Sequence, residues 1–139
     1  MRGSQGAHEM NVLVVDDNEA NLLFAAEVLR EQGWNVQEAS GGFDAMMQLD
    51  VEDFDLIVAD IRMPHLSGEK LLEWVSCDSR FANTHVIACT AHAQPEEAQA
   101  LLRAGFDRVL LKPVNSADLV KACQSCKSRP PRHSVQIPA

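Results

Sequence analysis

Two adjacent carboxylates, Asp16 and Asp17, close the apolar run Val12–Val15. Like charges held this close resist joint ionisation unless something positive compensates them. A third carboxylate, Asp60, closes a second apolar run in LIVAD. A hydroxyl, Thr90, closes a third in VIACT, and an ammonium, Lys112, closes a fourth in VLLK, just ahead of Pro113. Together these groups carry two net negative charges, which one divalent cation would neutralise. The ligands would be hard oxygens with room for water and a phosphoryl group, a set that suits Mg²⁺ better than zinc. A cation there would keep Asp60 ionised as a nucleophile able to carry an aspartyl phosphate. Lys112 and the Thr90 hydroxyl would meet the other equatorial oxygens, where charge builds in the transition state. Each residue alone has a plainer reading. An Asp or Thr at a strand end commonly caps a helix, and a lone lysine is commonly a solvated surface group. The ordered placement of all five argues for one site.

The elements that must position them are legible as an alternation. Strands are expected at 11–15, 35–39, 55–59, 85–89 and 108–111. Between them lie helical patterns, the clearest at 18–32, where Leu22, Ala25, Ala26 and Leu29 recur as one stripe. Gly33 and Gly105 stand where helix C-caps belong and Pro95 where a helix begins. A last helix is expected at about 115–127. The runs at 12–15 and 56–59 are apolar without alternation, as in strands covered on both faces. Five βα units in series predict an α/β fold, a parallel sheet with helices on both sides. In such a sheet all strands point the same way, and ligands bind at the C-terminal edge. The five residues should therefore converge there.

The chain has 139 residues, 46% hydrophobic and 23% charged, which suits one globular domain. We expect a disordered start or expression scar at 1–10, the folded domain at 11–127, and a flexible tail at 128–139, after the Pro-Pro break. The net charge of −8 argues against direct nucleic-acid binding, which needs Lys and Arg to neutralise phosphates. No apolar run approaches the roughly 18–20 residues of a membrane span, and no secretory signal is evident. The four cysteines, Cys77, Cys89, Cys123 and Cys126, fit free thiols in a reducing cytoplasm. CQSC at 123–126 lacks a second ligand pair for zinc and falls near a helix C-terminus, the wrong end for a redox thiolate. Met46, Met47 and Leu49 read as core filling, Trp34 and Trp74 as core-edge packing, and Gly68 as punctuation before a helix. His8, His85 and His133 have no metal-ligand spacing.

From about Asn11 to Cys126 the chain resembles the receiver domain of two-component response regulators, on the five elements just quoted, in order. The resemblance implies a flavodoxin-like (βα)5 fold with strand order 2-1-3-4-5. It implies an acidic pair for Mg²⁺ at Asp16 and Asp17, with phosphorylation of Asp60 from a phosphohistidine. The third protein ligand to the metal would be the backbone carbonyl of Arg62. Thr90 would be the switch residue, and Lys112 would contact phosphate ahead of a proline bond that is commonly cis. The second switch position, often aromatic in the family, is Val109 here, which puts the usual Thr–aromatic coupling in doubt. The side chains of Arg62 and His92, two residues past Asp60 and Thr90, would line the pocket mouth or simply be exposed.

TAHA and its surroundings resemble receivers attached to hybrid sensor kinases. The partner would be a histidine kinase or a histidine phosphotransfer domain, docking on the helix that starts near Asn18. The face of the fourth and fifth helices and fifth strand would then change its partner affinity. The domain would be cytoplasmic, even if tethered to a membrane sensor, with no membrane contact of its own; its oligomeric state is not legible. It would assist its own phosphorylation without metabolic turnover. Two rivals stand beside this reading. A haloacid-dehalogenase-type phosphatase also uses a strand-end Asp, Thr, Lys and Mg²⁺, but wants a second Asp where Arg62 stands. A pseudo-receiver scaffold would never take phosphate, but typically lacks one of the acidic or Lys elements.

Overall fold

The computed structural model describes residues 9–91 and 94–133. Five strands, β1 (Asn11–Val15), β2 (Asn35–Ala39), β3 (Leu56–Asp60), β4 (His85–Thr90) and β5 (Arg108–Leu111), alternate with five helices. The helices are α1 (Glu19–Arg30), α2 (Gly42–Val51), α3 (Gly68–Ser76), α4 (Pro95–Ala104) and α5 (Ser116–Ser125). All strand pairs are parallel, in the order β2-β1-β3-β4-β5 that the resemblance implied.

The unbroken apolar runs are explained by two cores. Leu13, Val15, Ile57, Ala59, Val86 and Ala88 face a layer built with α2, α3 and α4. Val12, Val14, Leu56, Val58, Ile87 and Cys89 face the layer of α1 and α5. Successive side chains of a strand point to opposite faces, so a strand covered on both sides has no polar position to spare.

Helix ends follow local chemistry. The side chains of Asn18, Ser67 and Asn115 accept hydrogen bonds from the amides of Asn21, Lys70 and Asp118, capping α1, α3 and α5. Pro95 opens α4, and Gly105 ends it at φ 125°, a conformation L side chains rarely adopt.

The structure departs from the sequence reading at several places. Met10, assigned to the disordered start, is buried in the core of α1 and α5, and its carbonyl accepts the Asn35 amide at 2.9 Å. β3 runs one residue later than expected and takes in Asp60, which lies opposite Cys89 of β4. Met47 is not core filling. It is 69% exposed and forms an outward stripe on α2 with Phe43 and Val51, while Ala45 and Leu49 fill the core and Met46 is half-buried against it. The segment after Ser128, expected to be flexible, is packed against the domain as far as His133. Pro131 and His133 are buried there, and the remaining tail lies outside the described residues. Trp34 is buried and Trp74 half-buried, its ring 5.3 Å from that of Phe81. Among the described residues, no helix is long and apolar enough to cross a membrane.

Candidate functional site

The sheet continues for one hydrogen bond beyond most of its strands, and that step seats the chemistry. The Asp16 amide donates to the Ala39 carbonyl at 3.1 Å, and the Ile61 amide, just past Asp60, to Cys89 at 3.0 Å. The Lys112 amide donates to the Thr90 carbonyl at 2.8 Å. The residues following β1, ending β3 and following β5 therefore hang from ladder bonds rather than loops. The Lys112–Pro113 peptide is cis, as the resemblance implied.

On this edge carboxylate oxygens of Asp16, Asp17 and Asp60 lie within 4.8 Å of one another. The Lys112 ammonium bridges two of them, 3.1 Å from Asp16 Oδ2 and 3.1 Å from Asp60 Oδ1. Asp16 Oδ1 also accepts the Asn18 amide at 2.9 Å, which fixes the carboxylate and helps begin α1. Asp16 and Asp60 are each 7% exposed and Asp17 is exposed, so the cluster opens to solvent on the Asp17 side.

Burial raises the Asp60 carboxyl above its ordinary value, and the neighbouring Asp16 charge adds to this. The hydrogen bond and charge of Lys112 and a backbone hydrogen bond at Arg62 oppose the rise without cancelling it. Lys112 shows the converse balance. Burial pulls its ammonium down, but the hydrogen bonds and charges of Asp16 and Asp60 outweigh it and hold Lys112 above its usual range. Among the described residues one cation, Lys112, bridges two of three clustered carboxylates, which leaves the edge short of positive charge. Its clustered oxygen donors fit a hard divalent cation.

A cleft of about 520 Å³ opens beside Asp16, Asp60 and Lys112, walled by Phe24, Ala25 and Val114. Cys89 also lines it, but burial, its first cause, pushes this thiol up to about 12, so it is not a thiolate nucleophile. A second groove, about 600 Å³, runs past Thr90 and Arg62 toward Glu97 of α4. Thr90 ends β4 and is buried, lining this second groove. The Arg62 side chain is exposed beside it. Val109 is half-buried opposite Ala88 and packs on the α2–α3–α4 side of the sheet. His92 lies outside the described residues.

Sequence reading missed what Gly68 does. A Cβ there would stand 2.5 Å from the Asp60 carbonyl oxygen and 3.1 Å from Ile61 Cα, and the Gly68 amide donates to the Ile61 carbonyl at 2.9 Å. The first turn of α3 is thus pressed onto the backbone that carries Asp60. The only signal in the sequence was a glycine where a helix starts, which has many commoner explanations. His65, in the same β3–α3 turn, has φ 71°, a conformation uncommon for a residue with a side chain.

The chain belongs to the response regulator receiver domain family. The family's sequence profile matches residues 12–124. Among curated proteins, the Sensor protein GacS of Pseudomonas syringae pv. syringae is 34% identical over 113 residues, 79% of this chain and 12% of the relative. The signal transduction histidine-protein kinase BarA of Escherichia coli K12 is 36% identical over 110 residues, again 79% and 12%. The chain thus spans a small part of these kinases' length. Among solved structures, the chemotaxis response regulator CheY4 of Vibrio cholerae superposes with a TM-score of 0.80. That match has 28% identity and covers 85% of this chain and 98% of the other. The chain is a receiver domain of two-component signalling, with the CheY-like fold.

Proposed function

We propose that Asp60 of this receiver domain accepts a phosphoryl group from a phosphohistidine on a histidine kinase or histidine phosphotransfer domain. An Asp60 oxygen bonds to phosphorus as the P–N bond breaks, and the imidazole leaves with that electron pair. Lys112 balances the charge gathering on the phosphoryl oxygens, and Asp16 holds Lys112 in place. Asp16, Asp17 and Asp60, with the Arg62 carbonyl, would hold Mg²⁺, which when bound would supply Lewis-acid polarisation of the phosphoryl group. The observation that carries the reading is the Lys112 ammonium, 3.1 Å from both Asp16 and Asp60 in a cluster of three carboxylates.

The partner docks beside α1, where half-exposed Phe24 and the cleft wall of Ala25, Pro113 and Val114 give an apolar rim around Asp60. The Thr90 hydroxyl then turns toward the phosphoryl oxygens and draws the 91–95 loop with it. With Val109 in place of an aromatic residue, that loop and α4 carry the change. The Arg62 side chain borders the second groove, and Arg62 and His92 set phosphate lifetime by controlling hydrolytic water; unchanged dephosphorylation of Arg62→Ala and His92→Ala would remove them from the account. The domain works in the cytoplasm and turns over no metabolite.

The test is transfer of labelled phosphate from a phosphorylated histidine phosphotransfer domain to wild type and Asp60→Asn, with Mg²⁺ or EDTA. Mg²⁺-dependent labelling of wild type alone is expected. Continuous hydrolysis of a small phosphomonoester would point instead to a phosphatase, and no Mg²⁺ binding to a scaffold.

A further inference from the structure

Beyond α5 the chain makes a short 3-10 turn, Cys126–Ser128, and turns back beneath the sheet at the end opposite Asp60. Residues 129–133 are tied there by bonds to three separate segments. The His85 ring donates from Nε2 to the Arg129 carbonyl at 2.7 Å, and the His133 ring from Nε2 to the Thr84 carbonyl at 2.6 Å. A carbonyl can only accept, so each Nε2 carries its proton. The Arg132 amide donates to Asp107 Oδ1 at 2.9 Å, while Asp107 Oδ2 accepts the Val86 amide at 2.9 Å. The Arg132 guanidinium donates from Nε and Nη2, at 3.2 and 3.0 Å, to the carbonyl of Leu102 in the last turn of α4. The Leu102 carbonyl also accepts the Gly105 amide at 3.1 Å, and a cation at this end of α4 meets the negative end of the helix dipole.

Helix α4 needs such a tether. Leu101 is its one fully buried residue, and the groove past Thr90, Glu97 and Ala100 leaves open space along its other flank. Its first residue, Pro95, comes five positions after Thr90 in the sequence, and its C-terminus is held by Arg132. A shift that begins at Thr90 must therefore work against the bonds to Leu102.

We propose that residues 129–133 form an autoinhibitory clasp, which holds α4 in its resting place and so opposes the phosphorylated state. This rests on the reading of Asp60 as phosphoacceptor. The bonds to Leu102 stabilise the resting position only. By linkage, removing them favours whichever ligand draws α4 away.

The experiment compares the 139-residue chain with its Arg132→Ala variant, an exposed position whose loss leaves both cores intact. Without ligand, amide hydrogen exchange in α4 should quicken in the variant while α2 is unchanged. With Mg²⁺, beryllium trifluoride, a phosphoryl mimic, should bind the variant roughly fivefold tighter, the lower end of ordinary coupling between sites. Unchanged α4 exchange overturns the clasp. Faster exchange with equal or weaker binding of the mimic makes it a structural tie only and overturns autoinhibition. If wild type and variant both fail to bind the mimic, the phosphoacceptor reading falls, and autoinhibition falls with it.

Discussion

Replacing Gly68 with alanine puts a methyl group 2.5 Å from the Asp60 carbonyl oxygen and 3.1–3.2 Å from Ile61 Cα and the Asp60 carbonyl carbon. All three are backbone atoms, so no side chain can rotate away. The β3–α3 turn must retreat by about 0.5 Å merely to reach 3.0 Å, the distance below which real contacts of this kind essentially never occur. Forcing an extra carbon into a packed site costs about 1–3 kcal/mol. Alanine's advantage over glycine in a helix is about 1 kcal/mol and smaller at the first position, so it offsets only part. The expected net loss is about 1–2 kcal/mol, read as a lower urea midpoint with unchanged slope. The larger effect falls on chemistry. A displacement of about 1 Å at a reacting centre can cost about 100-fold. A retreat of half that size predicts phosphorylation by acetyl phosphate about tenfold slower. Gly33→Ala is the control, because nothing lies within 4 Å of its Cβ and only the φ of +85° resists it. It should lose stability by about 1 kcal/mol and keep the full rate. A Gly68→Ala protein as stable and as fast as wild type would refute the argument.

Three further outcomes follow from the charges. Asp60 is raised above its ordinary pKa, so the folded domain holds this proton more tightly than the unfolded chain does. Its contribution therefore favours folding at low pH and is lost as pH rises from the ordinary carboxylate range through the folded value. Asp60→Asn should accordingly be the more stable protein at neutral pH without metal, with the gap closing toward pH 4 in urea titrations at several pH values. Lys112→Met should slow phosphorylation by acetyl phosphate about 100- to 1000-fold, the usual cost of losing one preorganised charge-stabilising donor. Asp17→Asn, at an exposed position, should shift metal-free stability by no more than about 0.5 kcal/mol. It should also abolish the gain of about 2.7 kcal/mol expected of wild type at Mg²⁺ a hundredfold above its Kd, checked by thermal melts with and without the ion.

Strand placement was legible because burial on both faces leaves a strong mark in Val12–Val15 and Leu56–Ala59, whereas the strand order was implied by the family resemblance. The strand ends then put Asp16, Asp60 and Lys112 on one edge without side-chain detail. What escaped is what periodicity does not encode. Apolar residues line both flanks of α2. The inward side takes Ala45 and Leu49, so Met47 is left outside despite its hydrophobicity. Gly68 carries no side chain to betray a contact that exists only between backbones. Arg129–His133 looked like a tail because Pro-Pro breaks helices and strands, yet the segment is held by bonds to carbonyls and to Asp107, which leave no apolar pattern. The pairing of Lys112 with two carboxylates at once was likewise a matter of side-chain reach, beyond what spacing reveals.

The most direct test of the central claim is intact mass after incubation with acetyl phosphate, with and without Mg²⁺, for wild type and Asp60→Asn, followed by borohydride trapping to locate the modified residue. The account predicts a single phosphoryl adduct that requires Mg²⁺, maps to Asp60 and is absent from the variant. An adduct that persists in Asp60→Asn, or forms equally well in EDTA, would contradict it.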